Sequence, residues 1–486
     1  MTLSPPAETA SPLPAQPRFV GPVSLQRISK DGRILVSRKG WFVRIVTITA
    51  IAMMVGFTLY GGLQIGDPLV VYSTIMPFHS IVVLGIGWFL YKSPTKEGPL
   101  GDELVSVIIP VYNQKGMIDI VIDSIYRSTY GNIEIIAVND GSKDGTKEVL
   151  DGLAKTYPNL KVIHKKNEGK RKAVATGFNF SKGKYVVLID SDSVLEKNAV
   201  TELIRAFKAD PKIGGVVGHV KVWNSDKNTL TKCQDVWYDF AFNVHKACES
   251  YFGSVTCISG CLAAYRRDVV MNFIPYWANS PIHFSDDRQL TSYVLASNWA
   301  KEGLKEVVAP GFSQKLMESA ARYDDSEDRV LTAQALATWK TVYVATAIAY
   351  TDVPEKLRGF FKQQERWKKG YLRTNFFVSS FFWHRRHPLM SLVYYTEFMT
   401  SFTAPLIVFT VLFYEPFILK QYMFPVFLLG SLLLKGVAVG LDYKYRDPAA
   451  KNWKYKPLMN IFGNMVLSWI LFPALWNFRK NRWLTR

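Results

Sequence analysis

Apolar residues in this chain gather toward its two ends and leave a water-soluble stretch between them, a distribution that excludes a single globular domain. The runs at residues 41–63 (WFVRIVTITAIAMMVGFTLYGGL) and 69–91 (LVVYSTIMPFHSIVVLGIGWFLY) each approach or exceed the roughly 20 apolar residues that cross a bilayer. Their length and aromatic ends predict two transmembrane helices in preference to buried core helices. Further apolar runs fall at about 389–419, 422–441 and 458–478, whereas residues 101–372 have the mixed composition of a soluble α/β domain.

Charge orients these segments. Arg18, Arg27, Lys30, Arg33, Arg38 and Lys39 precede the first run and Lys92 follows the second, while the intervening LQIGDP has no cation. The positive-inside tendency therefore predicts a cytoplasmic amino terminus and a cytoplasmic central domain on a plasma or inner membrane. Toward the carboxyl end, YKYRDPAAKNWKYK and FRKNRWLTR both favour the cytoplasm, which three full crossings after a cytoplasmic domain cannot satisfy. Either 458–478 is a hairpin or lies in the interface, or the charge tendency fails there.

The tract MTLSPPAETASPLPAQP is too poor in apolar residues to fold alone and is expected to be disordered. It is not expected to be a signal peptide, because the apolar run starts only at Trp41. The chain carries 59 basic and 40 acidic residues, a net +19, without a nucleic-acid motif. Anionic lipid and anionic substrates account for that excess, and nucleic acid is not an expected partner. Cys233, Cys248, Cys257 and Cys261 form no zinc-like pairs, so free thiols are expected.

Inside the central domain, LVSVIIPVYN, a helix-like stretch and IEIIAVNDGSKDGT give a strand, helix, strand order, which predicts a parallel sheet with ligands at the carboxyl ends of its strands. Asp140 ends the second strand. After LKVIHKKNEGKRKAVATGF comes KYVVLIDSDSVLEKNAV, whose strand ends on Asp190-Ser191-Asp192. Two carboxylates two residues apart can share a hard divalent cation, Mg²⁺ or Mn²⁺, which in turn binds a diphosphate. Alone, such a triplet is an ordinary acidic turn. Together with DGSKDGT before it and the basic run 165–172 between, it supplies the parts of a nucleotide-diphosphate site.

At this point the chain resembles the processive family 2 glycosyltransferases, from its first apolar run to about Pro405. KACESYFGSVTCISGCLAAYR and QQERWKKGYLRTNFF are similar to the hyaluronan synthases, and less so to chitin, nodulation chitooligosaccharide and cellulose synthases. The resemblance implies an α/β fold: a GT-A type nucleotide-sugar-binding domain with a mixed, mainly parallel sheet, embedded between transmembrane α-helices. It further implies that Asp140 holds the uracil, Asp190 the nucleotide and Asp192 the metal, with Lys172 near the nucleotide. Gln363, Arg366 and Trp367 of QxxRW would close the site, Arg366 on the diphosphate and Trp367 stacked on the acceptor sugar, whose C–H face suits an aromatic ring. In isolation QQERW reads better as an amphipathic helix surface with Trp in the core. Gly260 and Cys261 fall beside the acceptor, where hyaluronan synthases usually continue Gly-Pro-Leu-Gly-Met; the CLAAYR seen here is a departure that bears on sugar identity.

Inverting glycosyl transfer needs a carboxylate base, which in the family is the Asp before Arg in [DE]-D-R-x-L-T. Two segments fit, SDDRQLT with Asp287 and SEDRVLT with Asp328. Each also reads as an ordinary helix start. The strand, Pro-containing turn and distance to QxxRW favour Asp328, whereas the distance from CLAAYR favours Asp287. Asp328 is the expected base, with Asp287 the alternative.

The expected organisation is a basic disordered stretch (1–40), two transmembrane helices (41–92), a glycosyltransferase domain (100–375) with an insertion near 285–328, interfacial helices (376–400), carboxyl-terminal transmembrane helices (400–478) and a basic tail (479–486). The expected activity is processive polymerisation of UDP-sugars with export of the product, as in a hyaluronan synthase using UDP-GlcNAc and UDP-GlcA. The alternatives are a chitin-like or other capsular polysaccharide synthase and a polyprenyl-phosphate glycosyltransferase. Expected partners are UDP-sugar donors, a growing polysaccharide acceptor and membrane lipid.

Overall fold

The computed structural model describes residues 26–65, 68–95, 98–280, 285–296, 339–418, 420 and 422–478. Its centre is an eight-stranded sheet in the order β3-β2-β1-β4-β7-β6-β8-β5. The strands are β1 (Val105–Val111), β2 (Ile133–Asp140), β3 (Leu160–Lys165), β4 (Tyr185–Leu188), β5 (Ser193–Leu195), β6 (Ile213–Val222), β7 (Ala263–Arg266) and β8 (Lys340–Thr351). β1 pairs in parallel with β2 and β4, β2 with β3, and β6 with β8, while β7 runs antiparallel to both β4 and β6. The sheet is mixed and mainly parallel.

The run VSVIIPV forms a central strand because both of its faces are covered, so apolar residues are favoured at every position and not at alternate ones. Val105, Val107 and Ile109 face one core, shared with the helices Ile118–Tyr126 and Ala199–Ala209; Ile108 faces the other, with Ile136, Val138 and Phe178. The Ala199–Ala209 helix buries Val200, Leu203, Ile204 and Phe207, the spacing of one helical face. Because β1, β2 and β4 run in the same direction, their carboxyl ends deliver Val111, Asp140 and Asp190 to one edge. The antiparallel pairing Leu188↔Ala263 then sets the residues preceding β7, Gly260 and Cys261, opposite those following β4.

Among the described residues two helical segments are long and apolar enough to cross a membrane, Arg38–Phe57 and Pro388–Ile418, with mean hydropathy 1.8 and 1.5. Trp453–Met465 and Leu467–Trp476 form a bent pair with a 41° break, compatible with a broken span or a re-entrant segment. The helices Pro68–Gly85 and Met423–Arg446 pack beside the Arg38–Ile65 helix. The QxxRW segment lies in a single 29-residue helix, Leu357–Arg385.

Buried ion pairs tie the apolar helices to one another and to the sheet domain. Arg44 Nε donates to Asp442 Oδ1 at 2.7 Å, Arg446 Nη2 to Asp239 Oδ2 at 2.6 Å, and Lys221 Nζ on β6 to Asp447 Oδ2 at 2.5 Å. Such pairs set geometry more than they add stability, since desolvation offsets much of their attraction. All four cysteines are free thiols.

Candidate active site

One cavity of about 2450 Å³ contains Asp140, Asp190, Asp192, Asp287, Gln363, Arg366 and Trp367 in its wall, together with Lys170, Tyr238 and Cys261. From there it runs on between the apolar helices, past Thr47, Thr400, Ser431 and Asn460.

Asp140 is buried at the end of β2. Its Oδ1 accepts from Lys165 Nζ at 3.2 Å and from the Glu168 amide at 3.0 Å, and its Oδ2 from the Gly169 amide at 2.8 Å. That carboxylate therefore shapes the turn leading into the helix Lys170–Phe180. Gly169, at φ +95°, makes the turn possible, and the helix amino terminus enters the cavity wall at Gly169 and Lys170.

Lys170 brings a cation to the carboxylates of this site. Its Nζ lies 2.5 Å from Asp190 Oδ1. Burial alone would lower its pKa, but the combined fields of Asp190, Asp287 and Asp286 hold it well above the usual lysine value. Lys172, the lysine expected here, instead meets Glu168 Oε1 at 3.4 Å, with about half of its side chain exposed, outside the cavity wall. Three consecutive cationic residues open the helix, and each points about 100° from the last. Arg171 turns inward to Asp286 Oδ1 at 2.5 Å.

With Asp286 held by Arg171, Asp287 is the carboxylate of SDDRQLT that faces the site. Its Oδ2 accepts from the Gly260 amide at 2.8 Å. A Cβ on Gly260 would stand 2.9 Å from Asp287 Oδ1 and 3.3 Å from Asp190 Oδ1, so a side chain there would force at least the Asp287 carboxylate to shift. Burial pushes the Asp287 carboxyl up; the Lys170 ammonium opposes the shift and Asp190 adds to it. Asp328 lies outside the described residues.

Cys261 Sγ is 3.7 Å from Asp190 Oδ2, and burial together with the neighbouring carboxylates pushes its thiol up, so it is a neutral neighbour of the acids. Asp190 and Asp192 offer hard oxygen donors suited to Mg²⁺ or Mn²⁺. Among the described residues no group of three or more His, Cys, Asp or Glu side chains is assembled for a metal ion. Two such carboxylates suit a hard cation whose remaining positions a diphosphate would fill.

Sequence reasoning did not single out Trp237, Tyr238 or Lys170. Trp237 lies 5.9 Å from Trp367 between ring centroids, so the two form an aromatic ledge on the cavity wall. Tyr238 adjoins Arg366, Asp190 and Asp192; burial first, then the nearby Cys261 and these acids, push its phenol up. Both aromatics come from the helix Thr229–Phe240, whose link to QxxRW exists only in three dimensions.

A strand-end carboxylate pair, a helix amino terminus and a mainly parallel sheet with an antiparallel return define the class: a nucleotide-sugar-dependent glycosyltransferase. Residues 106–273 match the glycosyl transferase family 2 profile. Over 460 residues the chain is 26% identical to a hyaluronan synthase of Streptococcus pyogenes, covering 91% of this chain and 95% of that one. A second relative, hyaluronan synthase 3 of Homo sapiens, is 30% identical over 262 residues, 52% of this chain and 39% of the human one. Among solved structures, a mannosyltransferase from Pyrobaculum calidifontis in complex with GDP-Man and Mn²⁺ aligns with a TM-score of 0.49 and 18% identity, covering 90% of this chain and 100% of that one. Residues 106–273 thus form a family 2 glycosyltransferase domain, and the chain is similar to hyaluronan synthases over most of its length.

Proposed function

We propose that the protein is a processive, inverting β-glycosyltransferase that polymerises UDP-sugars, alternating UDP-GlcNAc and UDP-GlcA as a hyaluronan synthase does, and passes the product outward between its apolar helices. The observation that carries this reading is the single cavity, which joins Asp190, Asp192 and Asp287 to Trp367 and then continues between the apolar helices. An enzyme that releases a short product has no need of such a continuation.

In this reading Asp287 is the base. It takes the proton from the acceptor hydroxyl as that oxygen bonds to the anomeric carbon of the donor, and the bond from that carbon to the diphosphate oxygen breaks on the opposite side. Lys170, Arg366 and the amino terminus of the Lys170–Phe180 helix hold the departing UDP, whose negative charge they stabilise. Asp190 and Asp192 would hold Mg²⁺ or Mn²⁺, which supplies charge neutralisation at the diphosphate. Asp140 shapes the base-binding turn and is assigned to the uracil, while Trp237 and Trp367 stack the acceptor sugar. Gln363 lines the same wall. The sheet domain is placed on the cytoplasmic side, where the cations flanking the first two apolar runs put it.

The test is UDP release by the purified protein with Mg²⁺ or Mn²⁺, donors being offered singly and in pairs and any product sized. Release that requires UDP-GlcNAc and UDP-GlcA together, with a large polymer, supports the reading. Turnover with one donor alone replaces it with a homopolymer synthase, and Cys261 becomes the first contact to examine.

A further inference from the structure

Past its catalytic end the cavity holds two lysines that no acid among the described residues pairs with. Lys435, on the Met423–Arg446 helix, donates to Ser80 Oγ at 2.8 Å. Lys456, which opens the Lys456–Met465 helix, is only 3% exposed. Both ammonium groups converge on one ring, with Lys456 Nζ 4.2 Å and Lys435 Nζ 6.0 Å from the centroid of Phe240, and all three residues line the cavity.

Among the described residues neither lysine forms a salt bridge. Glu397, whose field reaches Lys435, is engaged by His79 at 3.3 Å and His245 at 3.1 Å. Asp239, whose field reaches Lys456, is engaged by Arg446 at 2.6 Å. A cation removed from water without a counter-charge is costly, and a second cation beside it adds to that cost. The ring offsets part of it by cation–π attraction. An anion that visits the cavity would offset the rest.

The location selects the anion. Phe240 follows Trp237 by three residues on one helix, roughly 5 Å along its axis. Trp237 in turn faces Trp367, so the lysine pair stands a short step beyond the aromatic ledge. Around it the wall offers neutral polar groups, Ser80, Ser431, Asn460 and Asn464. We propose that Lys435 and Lys456 form a subsite in the exit path that binds carboxylates of the growing polymer. The assignment rests on the polymerase reading above and deepens it, because a neutral polymer leaves both charges uncompensated. A lipid phosphate could supply the same charge; the polymer is favoured because the pair faces the cavity that contains Asp287 and Trp367.

The experiment uses the full-length protein without donors and compares binding of two size-matched probes, an oligosaccharide alternating glucuronate with N-acetylglucosamine and a neutral N-acetylglucosamine oligomer. Wild type is expected to prefer the anionic probe by about 10-fold or more, K435M/K456M to bind the two within about 2-fold of each other, and K435R/K456R to keep the preference. Equal wild-type affinity for both probes overturns the proposal, as does a preference that survives in K435M/K456M. So does an unchanged preference accompanied by loss of co-purifying anionic phospholipid, which makes the pair a lipid site. UDP release is measured on the same preparations: its absence with every donor pair removes the polymerase reading, while the probe preference still decides the subsite. Monodisperse elution of the arginine variant guards against scoring a folding defect.

Discussion

The Gly260 amide donates to Asp287 Oδ2 at 2.8 Å, which ties the start of the Asp286–Ala296 helix to the loop that precedes β7. This bond sets Asp287 beside Asp190, where an acceptor hydroxyl and a donor diphosphate would meet. D287N is expected to lower turnover at least about 10³-fold while UDP binding stays within a few-fold, because an amide keeps the shape but cannot take a proton. D328N is expected to retain most activity. Single-turnover kinetics of both variants check the assignment, and the reverse pattern would return the base to Asp328.

Gly260 has a second consequence. A methyl group there meets Asp287 Oδ1 at 2.9 Å, closer than side-chain carbons approach oxygen in folded proteins. G260A is therefore expected to push the two carboxylates apart and reduce kcat about 10- to 100-fold, with a small loss of stability, since the contacts are all with carboxylate oxygens that can shift. Full activity in G260A would show that the carboxylates relax without cost.

How much of this was legible beforehand depended on whether the determining contact was local. The strands were legible because a doubly covered parallel strand is apolar at every position, and VSVIIPV and YVVL are so nearly throughout. Asp140, Asp190 and Asp192 were legible for the same reason, since each follows such a run at the edge where ligands bind. The choice between Lys170 and Lys172 was not, because successive helix residues differ by a rotation that only the packed neighbour Asp190 can resolve. Trp237, Tyr238, Lys435 and Lys456 meet the site from three separate helices, and no spacing in the chain links them to QxxRW. The residue count from Asp328 to QxxRW carries no information on the Gly260 loop, which contacts the SDDRQLT helix through Asp287.

Asp235 supplies a pH test of the interface between the sheet domain and the apolar helices. It is buried, accepts from Asn452 Nδ2 at 3.0 Å, and burial raises its carboxyl from the ordinary 3.8 to about 7. The folded state therefore holds a proton that the unfolded chain releases, and stability falls as pH rises from about 4 to about 7. D235N, which keeps the hydrogen-bonding shape without the charge, is expected to flatten that fall, worth on the order of a few kcal/mol. Melting curves of wild type and D235N at pH 5 and pH 8 give the comparison; parallel shifts in the two proteins would exclude Asp235 as the cause.

Lys170 and Lys172 are two residues apart, carry the same charge, and should behave differently. Lys170 Nζ bonds Asp190 inside the cavity and its field opposes the rise in the Asp287 carboxyl, whereas Lys172 pairs with Glu168 on a half-exposed surface. K170M removes a charge-assisted contact, so KM for the UDP-sugar is expected to rise about 10-fold or more. It also removes the field that opposes the rise in the Asp287 carboxyl. The carboxyl then rises further, and the acid limb of kcat, below which the base is protonated, moves to higher pH. K172M is expected to leave both quantities within about 2-fold of wild type, as exposed pairs contribute little. Michaelis–Menten curves between pH 5 and pH 9 separate the two variants, and a larger defect in K172M would move the nucleotide cation back to that residue.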